Sequence, residues 1–505
     1  MMFTAVLLVT LVAILGYLRR KMRQYHSYWK RLGIPGEDPH WLMGNLPGFL
    51  TTTTIADSFQ RFYEKFKDTG PFVGFYLFTK LSVFVLEPDL IKLVLIKDFS
   101  KFSDRGMFHN PEDDPLSGNL FKLEGNRWRN MRNKLSPTFT SGKMKNMFPL
   151  IHDIGKEFVR VFRQTMQHNE IVEVSDLMGR FTSDVIGTCA FGLDTNSLKD
   201  PQSHFRVKGK RSLNELRYGP LGIAFRMNFP HLARRLHMKE TVADLEEYFL
   251  GLVRDTLNYR EQNNVRRNDF MDMLIDLKNN KLMKSDSGEE LTNLTFGEIA
   301  AQAFVFLVAG FETSSTTMAF ALYELAQNTQ IQDQAREEVL RVLEKHNQEF
   351  SYECMKEMVY LEQVINETLR LYPVVPFILR QASEDYEVPY NRKFVIKKGM
   401  SVIIPHAAIQ RDEKYYPQPN RFNPENFSPK KLAERDSILY LPFGDGPRNC
   451  IGMRFGKMQV VIGLILLLKN FKFSVCPQTE IPVKCTPKNV LISPANGIKL
   501  RVTQV

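Results

Sequence analysis

The feature that most constrains the fold is helical periodicity over segments too long for β-strands. The stretch FGEIAAQAFVFLVAGFETSSTTMAFALYELAQN, residues 296–328, repeats its apolar positions with a helical period, as does EMVYLEQVINETLRLYP at 357–373. Strand-like stretches are short, and the clearest are FVGFYL, SVFVLE and the pair KFVI and SVIIP, joined by KKGM as a turn. The sequence therefore predicts a mainly α fold with small β-sheets.

The length of the chain and its lack of linkers predict one large domain. A chain of 505 residues with 43% hydrophobic composition can bury a large core, and length alone would favour two or three domains. No internal repeat, low-complexity tract or Gly/Ser linker divides residues 41–505. We therefore expect residues 41–505 to form a single large domain.

The N-terminal segment predicts an uncleaved membrane anchor. Residues 1–18, MMFTAVLLVTLVAILGYL, carry no charged side chain, and the basic RRKMR follows at 19–23. A cleaved signal peptide would have its basic residues before the apolar run. The positive-inside rule then places the N-terminus outside and the rest of the chain in the cytosol. Residues 19–40, basic and interrupted by Pro35 and Pro39, are interpreted as a stiff linker.

Charge and cysteine content narrow the environment without identifying a partner. Lysine and arginine outnumber the acidic residues by 67 to 56, which suits nucleic acid, an anionic membrane surface or an acidic protein. The five cysteines are too few and too scattered for a disulfide framework, so a reducing compartment fits best. Each is by default a small buried hydrophobic residue.

Cys450 lies in a loop that calls for a chemical explanation. It stands in PFGDGPRNCIGMRFG, residues 442–456, where glycines let the backbone come close to something flat or bulky. A helix expected from Ile451 onward and the neighbouring Arg448 would both favour a thiolate. A nucleophilic cysteine is the competing interpretation, but it needs a histidine base, and no local cysteine-protease signature is present.

The spacing Phe-x-x-Gly-x-Arg-x-Cys-x-Gly, formed by Phe443, Gly446, Arg448, Cys450 and Gly452, resembles the haem-binding loop of the cytochrome P450 superfamily. The resemblance implies haem b with the Cys450 thiolate as its axial iron ligand. Arg448 would pair with a haem propionate, Phe443 would belong to the same cofactor site, and the glycines would let the backbone approach the porphyrin.

The segment ETLR matches the family's Glu-x-x-Arg helix, about 80 residues before the cysteine. Glu367 and Arg370 lie three apart on one helix face, a pair that is commonplace on solvated helices. In the family this pair is a structural lock for the haem loop, completed in many members by a later arginine. Asn426 of PENF stands at that arginine's place and Arg421 is out of register, so the third member is left unassigned.

The segment AGFET interrupts an otherwise apolar helix. A glycine weakens the local backbone, and a threonine hydroxyl can bond into the helix ladder and open it. The segment resembles the family's acid–alcohol pair. Thr313 would then order the water chain that delivers protons, and Glu312 would relay them from solvent. Ala309 and Gly310 would leave room for oxygen and substrate over the haem.

Further basic residues match cofactor contacts or suggest a docking surface. Trp128 and Arg132 lie four apart in NRWRNMRNKL and match the family's Trp-x-x-x-Arg contacts with the propionates, and Arg380 of FILRQ matches another such contact. A basic surface for an acidic flavoprotein electron donor is predicted on the exposed flank, from Arg127, Arg129, Lys134 and Lys457.

By position in the family, the substrate-facing segments are expected at 104–121, 221–238, 304–311, 373–379 and 487–493. They are rich in Phe, Leu, Met and Ile, which suits an adaptable cavity for a lipophilic substrate. Each aromatic residue among them could instead be ordinary core. The segment 221–238 is also expected to dip into the membrane surface.

Taken together, the motifs look most like insect microsomal members of the xenobiotic-metabolising group. The resemblance implies an NADPH-driven monooxygenase in the endoplasmic reticulum membrane, served by NADPH–cytochrome P450 reductase, with cytochrome b5 as a further donor and no nucleic-acid partner. The alternatives are a haem-thiolate isomerase or dehydratase, and a haem-based sensor or carrier. Members of the isomerase kind usually lack the acid–alcohol pair, and a sensor would not need a proton relay.

Overall fold

A computed structural model describes residues 2–49, 51–215, 217–279 and 293–505. The α-helices are α1 (Met2–His26), α2 (Tyr28–Arg31), α3 (Ile55–Phe66), α4 (Pro88–Lys92), α5 (Gly125–Leu135), α6 (Ser141–His168), α7 (Val174–Ile186), α8 (His204–Asn214), α9 (Gly219–Asn228), α10 (Pro230–Arg235), α11 (Ala243–Asn263), α12 (Phe270–Lys278), α13 (Phe296–Gln327), α14 (Thr329–Lys345), α15 (Tyr352–Lys356), α16 (Val359–Leu371), α17 (His406–Ile409), α18 (Pro429–Glu434) and α19 (Met453–Asn470).

Short helical turns and small sheets complete the fold. Single turns of 3-10 or π helix lie at Leu93–Lys97, Phe99–Phe102, Pro115–Ser117, Ser136–Phe139, Gly187–Phe191, Pro424–Phe427 and Ser437–Leu439. The strands are β1 (Phe72–Leu77), β2 (Lys80–Val85), β3 (Ile171–Glu173), β4 (Ile378–Gln381), β5 (Tyr386–Glu387), β6 (Val395–Ile396), β7 (Ser401–Ile404), β8 (Phe471–Ser474) and β9 (Lys499–Gln504). The predicted mainly α fold with small sheets is confirmed.

The strands form three small sheets in the described part of the chain. Their orders are β1-β2-β7-β4, β3-β9-β8 and β5-β6, and β2 pairs with β7 in parallel while the other pairs are antiparallel. The predicted pairing of KFVI with SVIIP is wrong. β7 is buried at every position and lies between β2 and β4, so both of its edges are already hydrogen-bonded. β6 pairs with β5 instead.

Helix α13 is the central element of the helical core. Its N-terminus is closed by a capping box in which the Glu298 amide donates to Thr295 Oγ1 and the Thr295 amide donates to Glu298 Oε2. The helix packs against α7, α19, α16 and α11. Among the described residues it is the helix with the length and hydropathy of a membrane span, and 67% of that apolar window is buried inside the protein. It is therefore a core helix.

A second core surrounds the four-stranded sheet. Phe59 and Phe62 of α3 make edge-to-face contacts with Phe75 and Phe84 of the sheet, with ring centroids 5.0 to 5.7 Å apart. This core and the helical core meet around the site, because β4 and the turn that follows β7 reach from the sheet towards α16.

Helix α1 runs without a break from the apolar segment into the basic cluster, ending eight residues beyond the predicted boundary at residue 18. The exposed side chains on its apolar part include Phe3, Leu8 and Val12. Its C-terminal end is tied to the sheet, because the Tyr76 hydroxyl donates to the Tyr25 carbonyl at 2.9 Å. The anchor and the three segment boundaries remain predictions.

Candidate active site

The cysteine loop is closed by its own backbone. The Cys450 amide donates to the Phe443 carbonyl at 2.8 Å, and the Asn449 amide donates to the Gly446 carbonyl at 3.0 Å. Gly446 has φ of +71°, and a Cβ there would lie 1.9 Å from the Leu95 carbonyl oxygen. Gly446 is therefore required by the protein's own backbone, and the approach of the loop glycines to the porphyrin stays a prediction.

The environment of the Cys450 thiol differs in detail from the prediction. The helix after the loop begins at Met453 rather than Ile451. Burial raises the pKa of Cys450, opposed by the Gly452 amide and by the charges of Arg132 and Arg105, and Arg448 is not among these influences. The thiol nevertheless retains exposed surface. Both observations fit a side chain that faces an internal space rather than the outer surface of the protein.

Four arginines from distant parts of the chain lie together, and the charges of two of them, Arg105 and Arg132, act on this thiol. Burial lowers the pKa of Arg105, and the charges of the other three arginines lower it further, while Cys450 opposes them. Burial lowers the pKa of Arg380 to about 9, with a smaller contribution from the charge of Arg448. Burial also lowers the pKa of Arg448 to about 10, opposed by the charges of Asp104 and Glu124. The cluster, Arg105, Arg132, Arg380 and Arg448, is called the arginine cluster below.

Several nitrogens of the arginine cluster have no partner among the described residues. The side chain of Arg448 is fully buried and donates to the Leu123 carbonyl, yet its Nε and Nη1 atoms are unpaired. Arg380 donates from Nη1 to the Leu379 carbonyl at 2.9 Å, and its Nε is unpaired. Buried guanidinium nitrogens without acceptors are costly. They fit a cofactor that brings carboxylates, as the two propionates of haem would.

Helix α5 supplies the two predicted contacts one turn apart. Trp128 is buried, and the Arg448 guanidinium lies over its ring at 4.3 Å. Arg132 donates to the Asn449 carbonyl at 2.9 Å and to the Asn449 Oδ1 atom at 2.7 Å, so it holds the residue directly before Cys450. The structure thus brings both predicted residues to the loop.

Arg105 is a site residue that the sequence analysis did not single out. It was included only in the segment 104–121, which was expected to face substrate. Its guanidinium donates to the Phe121 carbonyl at 2.7 Å and to the Arg448 carbonyl at 3.4 Å. The segment is irregular and lies far from the cysteine in sequence, so no local pattern distinguishes this arginine from a surface residue.

The AGFET segment lies in an unbroken helix. Thr313 Oγ1 donates to the Ala309 carbonyl at 2.7 Å, but α13 continues through it, so the predicted opening of the helix is not found. A Cβ on Gly310 would lie 2.5 Å from Ile186 Cδ1, so an alanine there would force the Ile186 side chain of α7 to move. Ala309 is exposed although α13 is mostly buried, so it also faces an internal space.

Glu312 lies on the same helix in a partly buried position. Burial raises the pKa of its carboxyl group, and the positive charges of Lys210 and Arg206 oppose the shift. Both of these cations belong to α8, which packs against α13. The carboxyl group therefore lies on the side of α13 that faces α8.

The Glu367–Arg370 pair is fully buried, and its third member is Asn426. Arg370 donates to the two carboxylate oxygens of Glu367 at 2.7 and 2.8 Å, with both side chains 0% exposed. The Asn426 amide donates to Glu367 Oε1 at 3.1 Å, alongside the Asn423 backbone amide at 2.8 Å. A neutral donor thus replaces the family's common arginine. The Asn426 carbonyl in turn accepts from Arg435.

The predicted basic flank is smaller than expected. Arg127 and Arg129 are exposed on α5, while Lys134 is buried, 7% exposed, and is excluded from the surface. Its position follows from the helical period, which turns it inward with Met131 and Leu135. Lys457 is partly buried and forms an ion pair with Glu362 at 2.8 Å.

The segments that were expected to face substrate contact other parts of the site region and one another. Asn110, in the segment 104–121, donates to the Met238 carbonyl at 3.4 Å, and Leu120 donates to Gln302 of α13 at 2.9 Å. The Ile492 amide donates to the Val374 carbonyl at 2.9 Å, which joins the last two segments. Helices α9 and α10 and their flanking residues leave several large apolar side chains exposed, namely Leu221, Phe229, Leu232 and Leu236.

Comparisons with known proteins identify the family of the chain. The family model Cytochrome P450 matches residues 34–502. "Probable cytochrome P450 6a21" of Drosophila melanogaster is 59% identical over 500 residues, 99% of each chain. "Cytochrome P450 6a9" of Drosophila melanogaster is 58% identical over 501 residues, again 99% of each chain. "Cytochrome P450 6A1" of Musca domestica is 46% identical over 487 residues, 96% of this chain and 95% of its own. The chain therefore belongs to the cytochrome P450 family of haem-thiolate monooxygenases.

Proposed function

We propose that this chain is a membrane-anchored monooxygenase that inserts one oxygen atom from O2 into a lipophilic substrate. Electrons pass from NADPH through a flavoprotein reductase. The substrate is a xenobiotic, such as an insecticide or plant toxin, or an endogenous hormone or lipid. The observation that carries the proposal is the internally facing thiol of Cys450 beside buried guanidinium nitrogens that lack partners.

The residues proposed to hold the cofactor are Cys450 and the arginine cluster. Cys450 would bind the haem iron through its deprotonated sulfur, favoured by the Gly452 amide and the charges of Arg132 and Arg105. The arginine cluster would pair with the propionates, supported by the Trp128 ring. Phe443 closes the loop through its carbonyl group. Haem held by a thiolate supplies the reductive activation of O2 that amino-acid side chains cannot provide.

Thr313 and Glu312 are proposed to deliver protons. The Thr313 hydroxyl gives its hydrogen to the Ala309 carbonyl, which leaves its oxygen lone pairs to accept a hydrogen bond from water. The Glu312 carboxyl keeps its proton to a higher pH than usual because of burial, so it suits a group that donates protons. Ala309, small and exposed to the internal space, leaves room beside them.

The electron donor and the membrane are proposed to meet different surfaces. Arg127 and Arg129 are exposed on the helix that carries Trp128 and Arg132, and they suit an acidic flavoprotein reductase or cytochrome b5. Helix α1 and the apolar side chains of α9 and α10 suit the endoplasmic reticulum membrane, with the remaining chain in the cytosol.

The test is reconstitution of the full chain with NADPH–cytochrome P450 reductase in phospholipid vesicles, offered a panel of lipophilic compounds under isotopically labelled O2. We expect substrate-dependent NADPH consumption and one labelled oxygen atom in the product. Rearrangement of an organic peroxide without NADPH or O2, and no labelled product from the panel, would instead identify an isomerase or dehydratase.

A further inference from the structure

The segment 374–376, between α16 and β4, is held by its carbonyl groups. The Val374 carbonyl accepts from the Ile492 backbone amide at 2.9 Å, and the Pro376 carbonyl accepts from the Ala407 backbone amide at 3.2 Å. Both donors are backbone groups, so any amino acid except proline at those positions would supply them. These two contacts therefore do not depend on side-chain identity.

The carbonyl between them is held by a side chain. The Val375 carbonyl lies 2.8 Å from Nε2 of His406, a residue that is 2% exposed at the start of α17. The other ring nitrogen, Nδ1, lies 3.3 Å from Gln410 Oε1. Burial lowers the pKa of His406 to about 4, so the ring is neutral near pH 7 and carries one N–H group. We assign this hydrogen to Nε2, which makes the shorter of the two contacts, so Nε2 donates to the Val375 carbonyl.

Gln410, at the end of the same turn, has a fixed orientation. Its amide nitrogen donates to the Arg370 carbonyl at 3.1 Å, and its Oε1 accepts from the Leu441 amide at 3.0 Å. Leu441 lies directly before the cysteine loop, and Arg370 belongs to the buried lock. One helical turn therefore holds both the entry to the cysteine loop and the carbonyl of Val375.

Val375 is more exposed than its neighbour in this segment. It is 37% exposed, whereas Val374 beside it is 5% exposed. Farther along the same segment, Ile378 Cδ1 lies 3.9 Å from the Cβ position of Gly444 in the cysteine loop, and Arg380 belongs to the arginine cluster. The segment thus leads from the exposed Val375 to Ile378 and Arg380, which lie beside the cysteine loop and in the arginine cluster.

We propose that His406 is a positioning residue that sets the place of Val375 in the wall of the substrate space and thereby selects ligands by size. The inference rests on the proposed function only in treating that space as the substrate space. Without the imidazole donor, the Val375 carbonyl is left unsatisfied and the wall shifts. Such a shift changes the fit of a bulky ligand and leaves a small one unaffected.

The test compares His406→Leu, which keeps the approximate volume without the donor, with His406→Gln, which keeps an N–H donor. The purified holoenzymes are titrated with imidazole and with 4-phenylimidazole, and Kd is read from the Soret difference spectrum. For His406→Leu we expect the ratio of the two Kd values to change by roughly fivefold or more, about the value of one hydrogen bond. Imidazole affinity and the CO-bound Soret band stay unchanged, and His406→Gln resembles the wild type.

A matched control is His152→Leu. His152 is partly buried in α6, where its ring contacts Phe148 and Phe350 at centroid distances of 5.8 and 5.3 Å and not segment 374–376. We expect this variant to lose stability without a change in the Kd ratio. If His406→Leu does not retain haem, His406→Asn replaces it, because its amide is too short to reach the same carbonyl.

Coupling between the two residues gives an independent readout. If His406 acts through Val375, the effects of His406→Leu and Val375→Ala on the 4-phenylimidazole Kd will be clearly less than additive. Additive effects, an unchanged Kd ratio in His406→Leu, or equal weakening of both ligands with loss of the CO-bound Soret band would each overturn the proposal. A wild type that binds 4-phenylimidazole no more tightly than imidazole would contradict the proposed apolar substrate space. The comparison of His406→Leu with His406→Gln would still decide the role of His406.

Discussion

At the scale of single residues, the site holds an excess of buried positive charge that the protein neutralises only in part, through Asp104 at 3.8 Å from Arg448. Arg448 and Arg380 are buried, their pKa values are lowered to about 10 and about 9, and some of their nitrogens have no acceptor among the described residues. Keeping such charges in the interior opposes folding of the chain without cofactor. Carboxylates of a bound cofactor would pair with these charges and offset their unfavourable contribution to the free energy of folding.

Arg380→Met should therefore have opposite effects on the two forms of the protein. Without haem, we expect the variant to be at least as stable as the wild type, because a buried unpaired charge is removed. With haem, we expect dissociation of the cofactor to be faster by about tenfold, equivalent to about 1.4 kcal/mol. Thermal melting of both forms and haem transfer to apomyoglobin measure the two effects. Arg129→Met, on the exposed flank, is the control and should change neither.

Glu312 gives a pH dependence with a defined sign. Its folded pKa is raised, so the protonated fraction falls as pH rises through that value, and proton delivery falls with it. The same group stabilises the folded state most at low pH, and this contribution is lost as pH rises through the folded pKa. We expect coupled product formation to decline with rising pH in the wild type. In Glu312→Gln the yield should be low and lack this decline; an identical pH profile in the variant would exclude the relay role.

Local motifs predicted most of these residues, and tertiary contacts explain the rest. Trp128, Arg132 and Cys450 stand in patterns with fixed spacing, so their meeting at the loop could be expected from the sequence. Arg105 could not, because it lies in an irregular segment with no helical or strand period. The partnership of Asn426 with Glu367 depends on the path of the chain through residues 419–426, which no periodicity specifies.

At the scale of elements, the contact between α13 and α7 shows how the central helix is fitted beside the site. Gly310 is the position at which the two helices approach, with Ile186 Cδ1 2.5 Å from the place of a Cβ. The Gly310 carbonyl also accepts from Gln459 Nε2 of α19 at 2.8 Å, which joins α13 to the helix after the cysteine loop.

Gly310→Ala should destabilise the protein although alanine favours helices by about 1 kcal/mol. Overpacking costs typically 1–3 kcal/mol, so we expect a net loss in the free energy of unfolding. Ile186→Val removes the one carbon atom that clashes, and the double variant should recover most of the loss. Thermal denaturation of the holoenzymes measures this. A stabilised single variant, or a double variant less stable than Gly310→Ala, would contradict the packing account.

Elements with a long period were predictable, while pairing between short strands was not. The apolar period of residues 296–328 indicated a helix, and α13 covers Phe296–Gln327. Residues 395–396 and 401–404 were correctly predicted to be strands, but the strands they pair with were not. A hairpin turn can be seen in the local sequence, whereas the parallel ladder between β2 and β7 joins segments far apart in the chain.

At the scale of the whole molecule, the features proposed for membrane contact come from two separate parts of the chain. Helix α1 carries exposed apolar side chains, and the region of α9 and α10 exposes Leu221, Phe229, Leu232 and Leu236. An apolar patch of this kind on a globular surface marks an interaction site. The two regions would act together on one membrane surface.

Removal of residues 2–26 should therefore weaken membrane binding without abolishing it. We expect the truncated chain to remain partly bound to anionic phospholipid vesicles in a sedimentation assay, and Phe229→Glu with Leu232→Glu to release it. Tyr259→Glu, at an exposed position in α11, serves as the control and should leave binding unchanged. A truncated chain that stays wholly in the supernatant would contradict a role for α9 and α10.

The single domain was predictable from the unbroken composition of residues 41–505, and the family model matches 34–502. The division of the interior into a helical core and a sheet core was not predictable, because apolar residues of both cores alternate along the chain. The site lies where these cores meet, so its geometry depends on the whole fold.

The central claim is that the thiolate of Cys450 binds the haem iron. The most direct test is the Soret band of the reduced, CO-bound full-length protein, compared between the wild type and Cys450→His. We predict the long-wavelength band typical of a thiolate ligand in the wild type and its replacement by the shorter-wavelength band of a histidine ligand in the variant. A wild type without the thiolate-type band, or a variant that keeps it, would contradict the account.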